Sequence, residues 1–281
     1  MRKTVAFQGA RGAFSEQACQ ALLGEDLIYR PCDRFVDVFA ALAAGRVRHA
    51  VVPIENTLAG SVYENYDHLL AYRLPIIGET SVRIVHNLIG RPEAKLSKIR
   101  RAISHPVALG QCLSFARKHS KIVTESHYDT GGSVKTVMEG DDPALAAIAS
   151  AAAAEYYGAK VLKAGIEDDP ENYTRFFLLA RRAPKRPPAG DEALKTSIVF
   201  AVRNQAGALF KAMSAFALRD VNLLKIQSRP LKGRPFEYLF YLDFVGSPSE
   251  TACRNALSHL AEMTELLVVL GTYRRASETT R

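Results

Sequence analysis

The chain has 281 residues, of which 48% are hydrophobic and 23% charged, so composition predicts a folded globular protein of two domains and excludes a disordered chain. The formal net charge is +8, but the basic residues are spread along the chain without a nucleic-acid-binding motif. No uncharged apolar stretch approaches the roughly 18 residues of a membrane span, and the N-terminus does not read as a signal peptide. We therefore expect a cytoplasmic protein that binds neither nucleic acid nor membrane.

The cysteines give no sign of a metal site or a disulfide framework. Cys19, Cys32, Cys112 and Cys253 are far apart in the sequence and lack the spacing of metal ligands. The seven histidines are equally dispersed. We expect reduced thiols in apolar surroundings and no bound metal.

The N-terminal part of the chain, residues 3–75, alternates short apolar strands with helices. The pattern predicts strands at 5–7, 27–29 and 50–54, and helices at 14–23 and 35–44. Nearly continuous apolar strands separated by helices indicate a parallel sheet that is covered on both faces.

A second α/β block begins near Ile76. Its pattern predicts a strand at 81–89, a strand ending at 103–104, a helix at 107–118, a strand at 146–149, a helix at 151–157 and a strand at 174–179. We expect one lobe from residues 1–75 plus 170–182 and the other from residues 76–169. A cleft between two such lobes is a common place for a small-molecule site.

Residues 183–194 are rich in proline and charge and are typical of a linker. After it, the pattern predicts a strand at 196–202, a helix at 208–218, strands at 221–228 and 238–245, a helix at 249–260 and a strand at 266–270. This βαββαβ order indicates a ferredoxin-like domain. The predicted domains are therefore residues 1–182 and residues 195–281.

Polar side chains follow several predicted strands or precede predicted helices, where α/β proteins bind ligands. They include Glu55-Asn56, Ser104 and Thr130, whereas Thr174-Arg175-Phe176 stands at the start of an apolar strand. Neighbouring side chains on a strand point to opposite faces, so a pocket that uses both Thr174 and Arg175 requires a local bend. The planar fork of an arginine suits a carboxylate.

The turn Gly9-Ala10-Arg11-Gly12 opens a helix and has a superficial likeness to a dinucleotide fingerprint. Its spacing is G-x-x-G rather than G-x-G-x-x-G, which disfavours a nicotinamide cofactor. We expect no cofactor, and we keep a nicotinamide dehydrogenase as a weaker alternative.

Five segments in this order resemble prephenate dehydratase: 5–16, 53–62, 103–112, 129–135 and 170–177. Residues 196–245 resemble the ACT regulatory domain that follows it in this family. The resemblance implies a two-lobed domain similar to bilobal periplasmic binding proteins, and decarboxylating dehydration of prephenate to phenylpyruvate in L-phenylalanine biosynthesis. It implies catalytic roles for Thr174, Glu55, Asn56 and Gln111, and substrate binding by Ser104, Thr130, Arg175 and Phe176.

The resemblance also implies feedback regulation by L-phenylalanine bound between ACT domains of a homodimer or homotetramer. The implied binding residues are Gly207, Ala208, Leu209, Gln227, Ser228, Arg229 and Pro230. Gln227 stands where the family usually has glutamate, so one formal charge at the effector site is lost.

Three points stay open at the level of sequence. The motif that begins Asp129-Thr130 is also similar to plant arogenate dehydratases, so arogenate is an alternative substrate. A non-catalytic amino-acid-sensing binding protein is the alternative from another class. Either Thr174 or Glu55 could deliver the proton to the leaving hydroxyl.

Overall fold

The computed structural model describes residues 4–184, 193–231, 233–234 and 236–276. The predicted linker, 183–194, falls largely on residues 185–192, which lie outside the described residues.

The bounds of the elements up to residue 180 are β1 Thr4–Gln8, α1 Phe14–Leu23, β2 Ile28–Cys32, α2 Phe35–Ala43, β3 His49–Asn56, β4 Gly60–Ser61, α3 Tyr63–Tyr72, β5 Ile76–Arg83, β6 Asn87–Gly90, a 3₁₀ turn Leu96–Lys98, β7 Arg101–Ser104, α4 Pro106–Gly110, α5 Leu113–Lys118, β8 Val123–Ser126, α6 Thr130–Glu139, β9 Leu145–Ala149, α7 Ala151–Tyr157, β10 Lys160–Lys163 and β11 Tyr173–Ala180. The elements that follow are β12 Leu194–Val202, α8 Ala208–Ala217, β13 Leu223–Pro230, β14 Tyr238–Val245, α9 Thr251–Met263 and β15 Thr264–Arg274.

Most predicted elements are confirmed, but two are wrong in the same way. The strand expected at 81–89 is two strands, because β5 ends at Arg83 in one sheet and β6 begins at Asn87 in another. The helix expected at 107–118 is also two helices, because the carboxylate of Asp168 accepts the N–H of Leu113 (2.9 Å) and that of Ser114 (2.8 Å) and so starts α5 afresh.

The first sheet has the strand order β2-β1-β3-β11-β5, with β4 beside β3. Strand β1 pairs in parallel with both β2 and β3, as the sequence predicts, whereas β4 is antiparallel to β3. Strands β3 and β11 are neighbours, and the N–H of Thr57, just after β3, donates to the carbonyl of Tyr173 (2.9 Å), which begins β11.

The second sheet has the order β10-β6-β9-β7-β8 and is mixed, because β7 is parallel to β8 and β9 while β6 is antiparallel to β9 and β10. Side chains alternate along β9. Ala146 and Ile148 join the apolar cluster that contains Phe115, whereas Ala147 and Ala149 join the one that contains Val134. The sheet is therefore covered on both faces.

The third sheet, β13-β14-β12-β15, is antiparallel throughout and confirms the βαββαβ order. Helices α8 and α9 cover one face, where Phe200, Phe216 and Phe244 are fully buried. This arrangement is the ferredoxin-like fold that the sequence predicts.

The chain forms two compact units, residues 1–65 with 80–176, and residues 66–79 with 177–281. Within the second unit, residues 66–79 pack against the third sheet. The rings of Tyr66 and Tyr241 meet edge to face at 4.8 Å, and Glu79 pairs with the buried Lys195. The domain boundaries drawn from the sequence stay a prediction.

No helix among the described residues is long and apolar enough to cross a membrane.

Candidate active site

A cavity of about 600 Å³ opens in the first unit, where the ends of strands from the first two sheets meet the starts of neighbouring helices. Asn56 ends β3, Thr174 lies near the start of β11, Gln111 separates α4 from α5, and Thr130 begins α6. Four of the residues expected at the site therefore line one cavity. Their amide and hydroxyl groups are neutral donors and acceptors, as expected in a pocket for a polar small molecule.

Asn56 connects several residues at the cavity wall through hydrogen bonds. Its Oδ1 accepts the backbone N–H of Leu58 (3.0 Å) and that of Ala59 (2.8 Å). Its Nδ2 donates to the carbonyl of Tyr173 (3.1 Å) and to Oγ1 of Thr174 (2.9 Å). Since a backbone N–H only donates and a carbonyl only accepts, these partners fix which way the amide points.

A second amide continues the network. Gln111 Nε2 donates to Oδ1 of Asn56 (3.3 Å), and its Oε1 lies 2.9 Å from Nε2 of His86. The break between α4 and α5 puts Gln111 in this position, because a continuous helix would keep the residue within a regular turn. The missed helix break is thus a feature of the site.

His86 is a cavity-lining residue that sequence reasoning missed. Its side chain is 2% exposed, and its ring meets that of Phe14 edge to face at 5.7 Å. Burial lowers the pKa of His86, while the bond to Gln111 and the nearby Glu167 act in the opposite direction. Its local signal was a polar residue inside an apolar run, which is more often a structural feature than a functional one.

The glycine turn at residues 9–12 offers no open anion site. The N–H of Ala10 donates to Asp129 (2.7 Å) and that of Gly12 to Glu16 (2.6 Å). Carboxylates of the protein itself thus occupy the donors that a dinucleotide phosphate would use. An added Cβ at Gly12 would lie 2.4 Å from Cα of Ala153, so close packing also requires a glycine here.

Glu55 and Arg175 point away from the other site residues. Their side chains pair at 3.2 Å, and neither belongs to the described residues that line the cavity. Each is a strand neighbour of a cavity residue, Asn56 or Thr174, so alternation sends the pair to the opposite face. The structure therefore brings Thr174 to the cavity and leaves Arg175 outside it.

Two further expected residues are buried rather than exposed to the cavity. Ser104 is fully buried and donates its hydroxyl to the carbonyl of Ile148 (2.7 Å). Phe176 is 2% exposed. His105 acts as the cap of α4, because its Nδ1 accepts the N–H of Val107 (3.3 Å). It also lines the cavity.

The residues expected to bind L-phenylalanine lie in the second unit. Gly207 has a left-handed backbone (φ 75°) and precedes α8, which begins with Ala208 and Leu209; Gln227, Ser228, Arg229 and Pro230 end β13. The guanidinium of Arg229 is bonded to both carboxylate oxygens of Asp67, at 3.2 Å and 3.1 Å from Nη2. Gln227 donates to the carbonyl of Ser228 (2.9 Å).

The described residues contain no group of three or more histidine, cysteine or acidic side chains arranged to hold a metal ion. All four cysteines are free, with Cys19, Cys112 and Cys253 buried and Cys32 half-buried. Burial raises the pKa of each thiol, to about 12 in Cys112.

A family model of prephenate dehydratase matches residues 5–184, which include every cavity residue described above. The chain belongs to the prephenate dehydratase family. It is a dehydratase, a lyase of phenylalanine biosynthesis.

Relatives of this dehydratase include the arogenate dehydratase/prephenate dehydratase 2 of Arabidopsis thaliana, which is 41% identical over 97% of the chain and 73% of the relative. The structure of prephenate dehydratase from Arthrobacter aurescens, in complex with L-Phe, is 32% identical with a TM-score of 0.90, covering 99% of this chain and 92% of that one. A protein described as GqqA, a novel type of quorum quenching acylase, is 34% identical with a TM-score of 0.90, over 99% and 100% of the two chains.

Proposed function

We propose that this dehydratase converts prephenate to phenylpyruvate, with the Thr174 hydroxyl as the donor to the leaving group. The observation that carries the proposal is the bond from Asn56 Nδ2 to Thr174 Oγ1 in the cavity wall. An amide nitrogen cannot accept, so Thr174 accepts this bond and its own proton remains to be donated elsewhere.

The reaction moves electrons across the ring of the substrate. The bond between the ring and its carboxylate breaks and releases CO2, and the electron pair enters the ring. The bond from the opposite ring carbon to its hydroxyl breaks, and this oxygen leaves as water after taking a proton. One well-placed donor to a leaving oxygen is worth about 10²–10⁴-fold in rate.

The cavity suits this chemistry because the expected site residues that line it together with Thr174 are neutral. Asn56, Gln111 and Thr130 can orient the substrate without a salt bridge to the carboxylate that must leave. Such a salt bridge would stabilise the substrate more than the transition state. We propose that Glu55 and Arg175 position Asn56 and Thr174 from the opposite face, rather than deliver the proton.

Turnover of prephenate by the full chain, measured from phenylpyruvate absorbance, tests the proposal. Thr174→Ala should lower kcat by about 10²-fold or more with a smaller change in KM. Thr174→Ser should retain part of the activity because the hydroxyl is kept. Prephenate turnover by the alanine variant at the wild-type rate would remove Thr174 from the mechanism, and a wild-type protein that binds prephenate without converting it would favour a binding protein.

Arogenate is the second candidate substrate, and the charge of the cavity wall favours it. The carboxylates of Asp33, Glu64 and Asp129 outnumber the guanidinium of Arg34 among the lining residues. Arogenate carries an ammonium group where prephenate carries a ketone, and acidic side chains attract an ammonium. The ratio of kcat/KM for the two substrates decides between them.

We also propose feedback inhibition by L-phenylalanine at the second unit, in a homodimer or homotetramer. The βαββαβ order of the unit and the L-Phe complex of the Arthrobacter aurescens relative support this proposal. Gly207, Leu209 and Ser228 are the proposed contacts, and Gln227 should weaken binding relative to a glutamate. Calorimetry with L-phenylalanine and sedimentation of the full chain test the two parts separately.

A further inference from the structure

The hydrogen bonds of the cavity form a directed chain from His86 through Gln111 and Asn56 to Thr174. We propose that His86 is a positioning residue, whose Nε2–H fixes the orientation of the Gln111 amide and so holds Asn56 and, through it, the Thr174 hydroxyl in place for the substrate. The inference rests on the proposed role of Thr174 and adds the residue that sets its orientation.

The direction is fixed first at Asn56. Its Oδ1 is already held by the N–H groups of Leu58 and Ala59. A rotated amide would place its NH₂ group against these two donors and lose both bonds. The Nδ2 group must therefore face Thr174.

The same reasoning carries one residue further. Gln111 approaches Oδ1 of Asn56 (3.3 Å), which is an acceptor, so the nitrogen of Gln111 is the atom on that side. Its Oε1 is then the atom that faces His86 Nε2 at 2.9 Å. Two acceptors at that distance would repel, so His86 must carry its proton on Nε2.

Burial makes this the favoured form of the ring. The pKa of His86 is lowered mainly by burial, so at neutral pH the ring carries one proton. The Nδ1 atom has no hydrogen-bond partner among the residues that the structure describes. A bare Nδ1 is tolerated there more easily than a buried N–H without an acceptor. The charged group that acts on the ring is Glu167, whose carboxylate accepts the backbone N–H of His86 (2.9 Å).

Loss of the Nε2–H would free Gln111 to rotate. A rotated Gln111 amide places its Oε1 against Oδ1 of Asn56, and the repulsion between these two acceptors displaces Asn56 and the Thr174 hydroxyl that it holds. A displacement of about 1 Å at a reacting group can lower the rate about 10²-fold. We therefore expect a kcat effect of about 10- to 100-fold, with KM changed much less.

The test compares two substitutions at one position in the full chain. His86→Phe keeps a ring against Phe14 and removes the donor, so kcat should fall. His86→Gln can direct an amide N–H at Gln111 and should recover most of the activity. His119→Phe is the matched control, because His119 packs its ring against Phe115 (4.5 Å between centroids) outside the cavity wall.

The outcomes separate positioning from other roles. Loss of activity in both His86 variants, with wild-type melting curves, would mean that the imidazole itself transfers a proton and would overturn the proposal. Equal activity of His86→Phe and wild type would overturn it too. Loss in both variants with lowered melting temperatures would assign His86 to stability alone and would likewise overturn it.

A combination with Thr174→Ala provides the final check. Since His86 acts through Thr174, His86→Phe should lower kcat little further in the Thr174→Ala background. Full additivity would overturn the proposal while leaving the role of Thr174 intact. Wild-type turnover by Thr174→Ala itself would instead overturn the proposed function.

Discussion

Replacing Asn56 by aspartate reverses the hydrogen bond on which the mechanism depends. Aspartate has the same shape and still accepts the N–H groups of Leu58 (3.0 Å) and Ala59 (2.8 Å). It cannot donate to Tyr173 or Thr174. Thr174 would then donate its proton to the new carboxylate, and no donor would face the leaving hydroxyl.

The size of the effect follows from the bonds that are lost. Asn56 Nδ2 donates at 2.7 Å to Asn172, at 3.1 Å to Tyr173 and at 2.9 Å to Thr174. The amide shares two N–H groups among these three acceptors, so at about 1 kcal/mol for each N–H their loss should lower the free energy of unfolding by about 2 kcal/mol. In a chain of this size the melting temperature should fall by roughly 4–8 °C. The turnover number should fall by about 10²-fold or more, as in Thr174→Ala.

The assay measures kcat at saturating prephenate, well below the melting temperature read by circular dichroism. Asn65→Asp is the matched control, because the buried Asn65 donates to the carbonyl of Pro53 (2.7 Å) and does not belong to the described cavity wall. This control should lose stability and keep its kcat. The reasoning is refuted if folded Asn56→Asp turns over at the wild-type rate, or if the control loses as much kcat as Asn56→Asp does.

Four further outcomes are expected. Lowering the pH from about 7.5 to about 5.5 should lower the free energy of unfolding, because the pKa of buried His86 is below its ordinary value and the unfolded chain takes up the proton first. In His86→Phe the free energy of unfolding, measured by denaturant titration at each pH, should change less with pH. Dialysis against EDTA should leave kcat unchanged in assays of the dialysed enzyme, and a chelator-sensitive activity would contradict this expectation. A thiol reagent should label the half-buried Cys32 before the three buried cysteines, which should react only on denaturation; rapid labelling of four thiols in the native protein would be the opposite result. Asp67→Asn removes the ion pair that holds Arg229, so calorimetry should show tighter L-phenylalanine binding with unchanged basal kcat, and weaker binding would show that the pair supports the effector site.

The elements of this fold that depend on local sequence were predictable. Helix α1 begins and ends where the apolar pattern does. The βαββαβ order after the linker follows from the spacing of the apolar residues and the length of each segment alone. Asn56 and Thr174 were expected at the site from the resemblance to prephenate dehydratase. Alternation along a strand indicated only that Thr174 and Arg175 could not share a pocket without a local bend.

The features that were missed depend on groups distant in sequence. The carboxylate of Asp168 starts α5, and β5 and β6 are separate because they pair with strands of different sheets, so neither break has a local signal. Both breaks put residues into the cavity, His86 beside the first and Gln111 at the second. Functional sites are where local pattern and global structure most often disagree.

The packing of residues 66–79 against the C-terminal sheet could not be predicted from the sequence either. Gly271 is a glycine because an added Cβ would lie 2.1 Å from the carbonyl oxygen of Ile76, and Glu79 is a buried acid because Lys195 faces it. Each residue is understandable only with its partner, which lies more than a hundred positions away in the chain.

The central claim is that the Thr174 hydroxyl donates to the hydroxyl that leaves the substrate. It is tested most directly by the kcat ratio of Thr174→Ser to Thr174→Val at saturating prephenate, because valine keeps the branched shape and removes the oxygen. The serine variant should exceed the valine variant by about 10²-fold or more, with similar KM values. Equal kcat values for the two variants would contradict the claim.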